Sequence, residues 1–202
     1  MSLYFARHGQ TVFNLENRFQ GLSDSPLTDL GKAQARRLGE FAKQAGVTNL
    51  IVSPRGRAIE TAKIVIEALG QDIPVVIDQI WREMCYGDWE GRAESEIVNE
   101  PAREEWLRYQ LSFTYPGNYQ GHPGDSYAAR YAELVPTFEF LTKHFPARPT
   151  LIVAHYTPLR FVRKYFDRLS DDEAMAYEPA HDRLLDLTMI DGRIQLTEEA
   201  LP

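Results

Sequence analysis

An arginine and a histidine stand side by side in Arg7-His8-Gly9, directly after the apolar run Leu3-Tyr4-Phe5-Ala6. A second histidine, His155, follows another apolar run, Leu151-Ile152-Val153-Ala154. In open α/β sheets ligands bind at the carboxyl ends of the strands. Strands of one sheet deliver those ends to one edge, so the two imidazoles are expected to converge beside a guanidinium. An imidazole attacks or moves protons near neutral pH, and a guanidinium binds phosphate through a planar fork. For either histidine alone, a strand-end ring satisfied by a backbone group is the ordinary alternative. The five histidines (His8, His122, His144, His155, His181) include no zinc-type i, i+4 pair, so a histidine-built metal site has no support.

Two further segments bear on phosphate chemistry. Ser53-Pro54-Arg55-Gly56-Arg57 reads as an N-cap, a proline at the first helical position and two arginines in the first turn. Cations there oppose the helix dipole, and a bound phosphate would reverse that cost through the free N–H groups. We assign this role to Arg57 and read Arg55 as solvated surface charge. The other segment is Trp81-Arg82-Glu83-Met84-Cys85-Tyr86-Gly87-Asp88-Trp89-Glu90-Gly91. Apolar neighbours around Glu83 can keep a carboxyl protonated until a leaving group needs the proton. The competing reading is a loop carboxylate paired with Arg82.

The elements that position these groups alternate. Strands are expected at Leu3–Ala6, Leu50–Val52, Val75–Ile77 and Leu151–Ala154. A helix over 28–45, capped by Thr28, turns Ala35, Leu38, Phe41, Ala42 and Ala45 inward. Another carries Ala58, Ala62, Val65, Ile66 and Leu69 on one face and ends at Gly70. Thr157-Pro158 opens a third, with Leu159, Val162 and Phe166 inward and its N-terminus close to His155. Leu185–Ile190 and Arg193–Leu196 flank Asp191-Gly192, a two-residue hairpin signal. This order predicts an α/β fold: a three-layer α/β/α sandwich with a mostly parallel sheet and an antiparallel edge. Residues 92–130 interrupt the pattern with a helix-like Ala102–Leu111 and the turn-rich Tyr115-Pro116-Gly117-Asn118. They read as an insertion over the site within a single domain spanning 1–202.

Bulk properties narrow the function. A net charge of -7 argues against a nucleic-acid or anionic membrane surface, so an anionic ligand needs a locally basic pocket. Cys85 is the only cysteine, which excludes an intrachain disulfide and a thiolate metal cluster. Arg7-His8-Gly9 starts too early to leave room for a signal peptide, and no apolar run approaches membrane-spanning length. A cytoplasmic protein is expected.

The segments together resemble the histidine phosphatase superfamily, also called the phosphoglycerate mutase-like family. Arg7-His8-Gly9-Gln10-Thr11 with Asn14 is similar to its nucleophile motif. Gln20-Gly21, Asp24 and Pro26-Leu27-Thr28-Asp29-Leu30-Gly31 resemble its next stretch, and Ser53 to Ala62 the segment carrying its second arginine. Glu83 with Gly87-Asp88-Trp89-Glu90-Gly91 resembles its acid segment. His122-Pro123-Gly124-Asp125-Ser126 resembles a Gly-Glu-Ser element that starts a later helix, and Val153-Ala154-His155 the second-histidine strand end. The matches occur in family order over about residues 3–160.

The resemblance implies a role for each residue. His8 is the nucleophile and becomes phosphohistidine. Arg7, Arg57 and His155 bind the transferring phosphoryl oxygens, Asn14 adds a neutral donor, and Gln20, Gly21 and Tyr156 join the substrate-binding set. Glu83 protonates the leaving oxygen and then activates water. The family implies no metal and no other cofactor. Tyr156-Thr157 departs from the small pair usual after the second histidine, so the ring of Tyr156 either lines the pocket or packs beneath the insertion. Asp125 stands where glutamate is usual and is expected to cap the following helix.

Mutases of the family tend to be longer, with adjacent arginines in the insertion and a tail that closes the site. Here Arg92, Arg103, Arg108 and Arg130 include no adjacent pair, and the chain ends soon after the hairpin. Hydrolysis of a small-molecule phosphate ester is therefore the leading expectation. Mutase transfer is the same-fold competitor, and a non-catalytic phospho-ligand module the competitor of another class. The rings Trp106, Tyr109, Phe113, Tyr115 and Tyr119 either line a pocket for a ring-bearing ester or pack the insertion onto the core. Sugar phosphates, nucleotides and ribazole-type phosphates all stay open as substrates, and so does a homodimer.

Overall fold

A computed structural model of the chain describes residues 2–202. In chain order the elements are β1 (Ser2–Arg7), α1 (Val12–Leu15), α2 (Asp29–Gln44), β2 (Asn49–Val52), α3 (Gly56–Leu69), β3 (Val75–Ile77), α4 (Pro101–Arg108), β4 (Asn118–Tyr119), β5 (His122–Pro123), α5 (Tyr127–Lys143), β6 (Thr150–Ala154), α6 (Tyr156–Phe166), α7 (Asp171–Ala176), β7 (Arg183–Ile190) and β8 (Arg193–Ala200). Six strands form one sheet in the order β3-β2-β6-β1-β7-β8. The first four run parallel and the last two antiparallel. This is the predicted mostly parallel α/β sandwich with an antiparallel edge. Asp191 and Gly192 both adopt positive φ (49° and 74°), the backbone a tight two-residue hairpin requires.

The period of two along β1 sorts its side chains between two cores. Tyr4 and Ala6 pack with Leu38 and Ala42 of α2 and Ala58, Ala62 and Val65 of α3. Leu3 and Phe5 pack on the other face with Leu134 and Phe138 of α5 and Leu159 and Val162 of α6. β6 is buried along its whole length, as a central strand covered on both faces must be. β3 differs: Val75, Val76 and Ile77 are exposed at the sheet edge. Among the described residues no helix is long and apolar enough to cross a membrane.

Several boundaries depart from the sequence reading. α3 begins at Gly56 after an N-cap, Arg55, that makes no side-chain capping bond. Asp24 accepts from the Gly56 and Arg57 N–H groups (2.7 and 3.3 Å) and satisfies that helix end from another loop. Ser53, expected as the cap, turns to His155 instead. Ser126, and not Asp125, caps α5 by accepting from Ala129 N. The helix expected over Ala102–Leu111 is the shorter Pro101–Arg108.

Candidate active site

β1 and β6 are adjacent and parallel, with Arg7 in register with Ala154. His8 and His155 therefore leave the sheet at the same edge, and their ring centroids lie 5.1 Å apart. His8 N donates to Ala154 O (3.0 Å), which continues the ladder one residue past the strand. Gly9 then meets Gly31 so closely that a Cβ on it would lie 2.3 Å from Gly31 O. Only glycine permits the chain after His8 to turn against the start of α2.

The His8 ring has one tautomer consistent with its partners. Nδ1 lies 2.8 Å from Gly9 O, and Nε2 lies 3.2 Å from the Nε of Arg57. A carbonyl cannot donate and a guanidinium cannot accept, so the proton sits on Nδ1 and the lone pair on Nε2. His8 is 3% exposed. Burial, followed by the positive field of Arg57, holds its pKa well below the usual imidazole value, so the ring is neutral.

Arg57 is 1% exposed and fully engaged. Its Nη1 donates to Ser23 O and Asp24 Oδ1 (both 2.8 Å), and its Nη2 to Gln20 O and Gly21 O (3.0 and 2.9 Å). The fork expected to grip phosphate instead holds the 20–24 loop, and only the Nε–H points at the reaction centre. Arg7 sends Nη1 to Pro179 O (2.9 Å), while its buried Nε–H has no protein partner. Burial lowers its pKa to about 10, against the pull of the Glu83 carboxylate. Two desolvated guanidiniums beside a neutral imidazole form a strongly anion-seeking centre.

His155 is fully buried, with Nε2 2.6 Å from Ser53 Oγ and Nδ1 lacking a protein partner. Burial and then Arg57 and Arg7 push its pKa well below the ordinary value. Glu83, 3% exposed, accepts from Met84 N (2.8 Å) and from Thr157 N (3.1 Å) in the first turn of α6. Arg82 does not pair with the Glu83 carboxylate. It bonds Asp125 (2.6 Å), Glu133 and the Glu83 carbonyl.

Arg7, His8, Asn14, Gln20, Glu83 and Tyr156 all line one cavity of about 270 Å³. Asn14 Oδ1 accepts from both Thr11 N and Thr11 Oγ1, which leaves its NH₂ as the end free of that cap. Gln20 and Gly21 also hold the loop that carries them. The Gln20 side chain bonds Thr11 Oγ1 (2.7 Å) and Ser25 Oγ (3.0 Å). Gly21 N–H donates to Glu90, and a Cβ on Gly21 would lie 1.8 Å from Met84 O. The ring of Tyr156 sits between the guanidiniums of Arg7 and Arg160, 5.0 and 4.2 Å from its centroid. Arg160 Nη2 also donates to its phenol oxygen. Arg55, read as free surface charge, donates Nη1 to Leu22 O (3.1 Å).

Sequence reasoning gave no role to two residues. Glu90 accepts from the N–H groups of Gly21, Leu22, Ser23 and Tyr86 (2.9–3.1 Å) and from Ser23 Oγ. One carboxylate thus ties the 20–24 loop to the acid segment. His181 donates Nδ1–H to His8 O (2.6 Å), and its ring centroid is 5.4 Å from that of His8. Its position before β7 offered no signal, because the contact spans the whole chain. Burial, with Arg7, lowers its pKa to about 3. Among the aromatic residues of 92–130, Phe113 and Tyr115 are buried against Trp89, as the packing reading expects. Tyr109 is exposed, and Trp106 alone of the five reaches the cavity. Among the described residues no group of three or more His, Cys, Asp or Glu is disposed to hold a metal ion.

Comparison with known proteins agrees with this fold. The profile of the histidine phosphatase superfamily (branch 1) matches residues 3–199, and the chain belongs to that family. A relative named "Probable phosphoglycerate mutase GpmB" from Enterobacter sp. (strain 638) is 40% identical over 117 residues, 58% of this chain and 53% of the relative. The chain thus spans about half the length of the curated relatives it matches. Among solved structures, YhfR of Bacillus stearothermophilus superposes with a TM-score of 0.80 at 28% identity, covering 98% of this chain and 96% of that one. A mycobacterial glucosyl-3-phosphoglycerate phosphatase in complex with VO3 gives 0.76 at 25%, covering 98% and 97%. The α-ribazole phosphatase of Shigella flexneri gives 0.83 at 21%, covering 100% and 96%, a likeness of fold.

Proposed function

We propose that the protein is a metal-independent phosphatase that hydrolyses phosphate monoesters of small organic molecules through a phosphohistidine on His8. The observation that carries this reading is the state of the His8 ring: neutral, fixed as the Nδ1–H tautomer, with Nε2 turned toward Arg57 among buried cations. That is what an attacking imidazole requires.

In the proposed reaction the phosphoryl group lies against Arg7, Arg57 and His155. The Arg57 Nε–H passes from His8 Nε2 to a phosphoryl oxygen as the ester binds. The freed Nε2 lone pair attacks phosphorus, the ester P–O bond breaks, and Glu83 supplies the proton to the leaving oxygen. The resulting phosphoimidazole is positively charged, and the Nδ1–H bond to Gly9 O offsets that charge. Water then attacks phosphorus, Glu83 takes its proton, and the P–N bond breaks to restore His8. Such chemistry asks the protein for positioning and charge stabilisation above all.

Hydrolysis is favoured over mutase transfer because Arg92, Arg103, Arg108 and Arg130 of the 92–130 segment include no adjacent pair, and a solved relative at 25% identity is named as a phosphatase. The presence of His8, Arg57, Glu83 and His155 together supports an enzyme over a binding module. We read 92–130 as a cover that brings Trp106 and Glu94 to the cavity. A cytoplasmic setting suits a chain whose one cysteine is free and buried.

The test is phosphate release from a panel of sugar phosphates, nucleotides, phosphoglycerates, an aryl phosphate and a ribazole-type phosphate. Wild type and His8→Ala are run with and without a chelator. Chelator-insensitive release that disappears in His8→Ala is expected. Isomerisation of phosphoglycerates without net release would favour the mutase, and chelator-sensitive release surviving in His8→Ala would overturn the mechanism.

A further inference from the structure

Asn17, Arg18, Glu94 and Trp106 line the outer end of the cavity, and the reaction centre occupies its inner end. Residues 177–181, which lie between α7 and β7, reach that inner end from late in the chain. Two of their contacts are direct. Pro179 O accepts from Arg7 Nη1 (2.9 Å), and His181 Nδ1–H donates to His8 O (2.6 Å). A third is indirect. Tyr177 O and the Glu178 carboxylate hold Arg160 (2.7 and 2.9 Å), whose guanidinium lies over the Tyr156 ring that Arg7 also contacts.

The His181 contact falls where the sheet stops. His8 N makes the last ladder bond, to Ala154 O, and α6 begins at Tyr156. The His8 carbonyl therefore lies beyond the ladder, where no strand neighbour serves it, and the His181 imidazole supplies the donor. A carbonyl cannot donate, so the His181 proton is on Nδ1. The peptide group that joins His8 to Gly9 is then held at both ends: its oxygen by His181, its N–H by Thr61 Oγ1 (3.0 Å). Gly9 is the softest joint of this stretch, because a glycine backbone has the most freedom. Its own carbonyl accepts from Nδ1 of the attacking ring (2.8 Å). Pinning the peptide plane thus constrains where Gly9 O lies, and with it the direction in which His8 Nε2 points.

We propose that His181 is a positioning residue of the reaction: 173 residues along the chain from His8, it pins the His8–Gly9 peptide and so aims the attacking Nε2, while the Pro179 carbonyl beside it places Arg7. It acts through His8, and its contribution is to the attack on phosphorus rather than to the binding of phosphate. The inference rests on the phosphatase reading above and adds to it a residue outside the segments that resemble the family.

Four variants test it, with p-nitrophenyl phosphate as the ester and inorganic phosphate as the inhibitor. His181→Leu keeps bulk and loses the donor. His181→Asn places an amide N–H where Nδ1 stood, and His181→Gln carries the amide one bond further out. Ser170→Ala removes the N-cap of α7 and loosens the neighbouring helix without touching the site. In His181→Leu and His181→Gln, kcat/KM should fall by about 10- to 100-fold, up to the effect of a displacement of about 1 Å, with inhibition by phosphate within about two-fold. His181→Asn should return to within about three-fold of wild type, because it keeps the hydrogen bond. Ser170→Ala should melt earlier and keep its kcat/KM. Wild-type kcat/KM in a folded His181→Leu or His181→Gln would overturn the role. So would an Asn variant as slow as Gln, or an equal loss of kcat/KM in Ser170→Ala. Should His181→Leu fail to fold, the ratio of Asn to Gln decides. Each of these outcomes leaves the phosphatase reading intact, since wild type still releases phosphate. No release by wild type from any ester would remove that reading and the role of His181 with it.

Discussion

The inner and outer ends of the cavity are built in opposite ways. At the inner end, nearly every polar atom of His8 and Arg57 is bound to backbone carbonyls or to buried partners. At the outer end, Arg18 pairs with Glu16 and Glu96, and Arg103 with Glu94, through partly exposed side chains. Backbone partners fix the position of a group to a fraction of an ångström, which a reacting atom needs. Exposed ion pairs contribute little to stability and exchange readily, so they can tune which ester enters at small cost to the fold. The contrast predicts that inner substitutions act on kcat and on folding, and outer ones on KM and selectivity.

The largest effect is expected from Glu83→Gln, which keeps the shape and removes the transferable proton. Its kcat should fall by roughly 10²- to 10⁴-fold, with a modest drop in melting temperature, because the amide nitrogen cannot accept from one of the two N–H groups, Met84 and Thr157, that the carboxylate holds. An aryl phosphate with a good leaving group should suffer less in the first step, a difference that burst kinetics would reveal. Unchanged kcat on alkyl esters would assign the acid to another group.

Arg57→Lys sharpens the structural side of the comparison. Lysine keeps the charge but cannot supply donors to Ser23, Asp24, Gln20 and Gly21 together. Denaturant titration should show a loss of roughly 3 kcal/mol, because buried carbonyls lose their partner, and turnover should fall with it. A variant that is fully stable yet inactive would show that the guanidinium acts on phosphate alone and that the 20–24 loop holds itself.

Acid lability is the next consequence. His8, His155 and His181 all have pKa values below that of the unfolded chain. Below pH 6.5 the unfolded state binds these protons and the folded state does not, so stability declines as the pH falls. For His181 the loss continues down to about pH 3. Each imidazole contributes a slope of up to about 1.4 kcal/mol per pH unit. Urea midpoints measured from pH 7.5 to pH 5 should fall, and His181→Asn should flatten the decline. A midpoint constant over that interval would contradict the buried neutral imidazoles. By the same shift, any acid limb of kcat/KM that belongs to His8 should lie well below pH 6.5.

The smallest effect belongs to the outer wall. Trp106→Ala should raise KM for sugar esters several-fold and leave kcat within about two-fold, since loss of an aromatic contact costs on the order of 1 kcal/mol. Equal losses in kcat would mean that the wall helps to order the inner end.

The inner end was the legible part of the sequence, for a physical reason. His8, Arg57 and His155 each sit at a strand or helix end, Glu83 lies in the loop that follows β3, and short-range patterns of apolar runs, prolines and glycines mark such places. What each side chain then bonds was not legible. Arg57 grips a loop that lies before it in sequence, Ser53 serves His155 instead of its own helix, and Asp24 caps a helix of another segment. Glu90 and His181 were missed because their partners are backbone atoms set by tertiary contact, with no local pattern to announce them. The outer rim was least legible, because half-exposed charges on irregular segments have no period. The aromatic residues of 92–130 could not be sorted into wall and core from composition alone.

Trapping the intermediate tests the central claim most directly. Wild type mixed with a labelled phosphate ester and quenched in base within milliseconds should carry a phosphoryl group on the peptide that contains His8. That label should be stable in alkali, lost in acid and absent from His8→Ala. It should accumulate in Glu83→Gln when an aryl phosphate is the donor, because water attack then lacks its base. Turnover at full rate with no acid-labile label on His8 would contradict a covalent histidine mechanism.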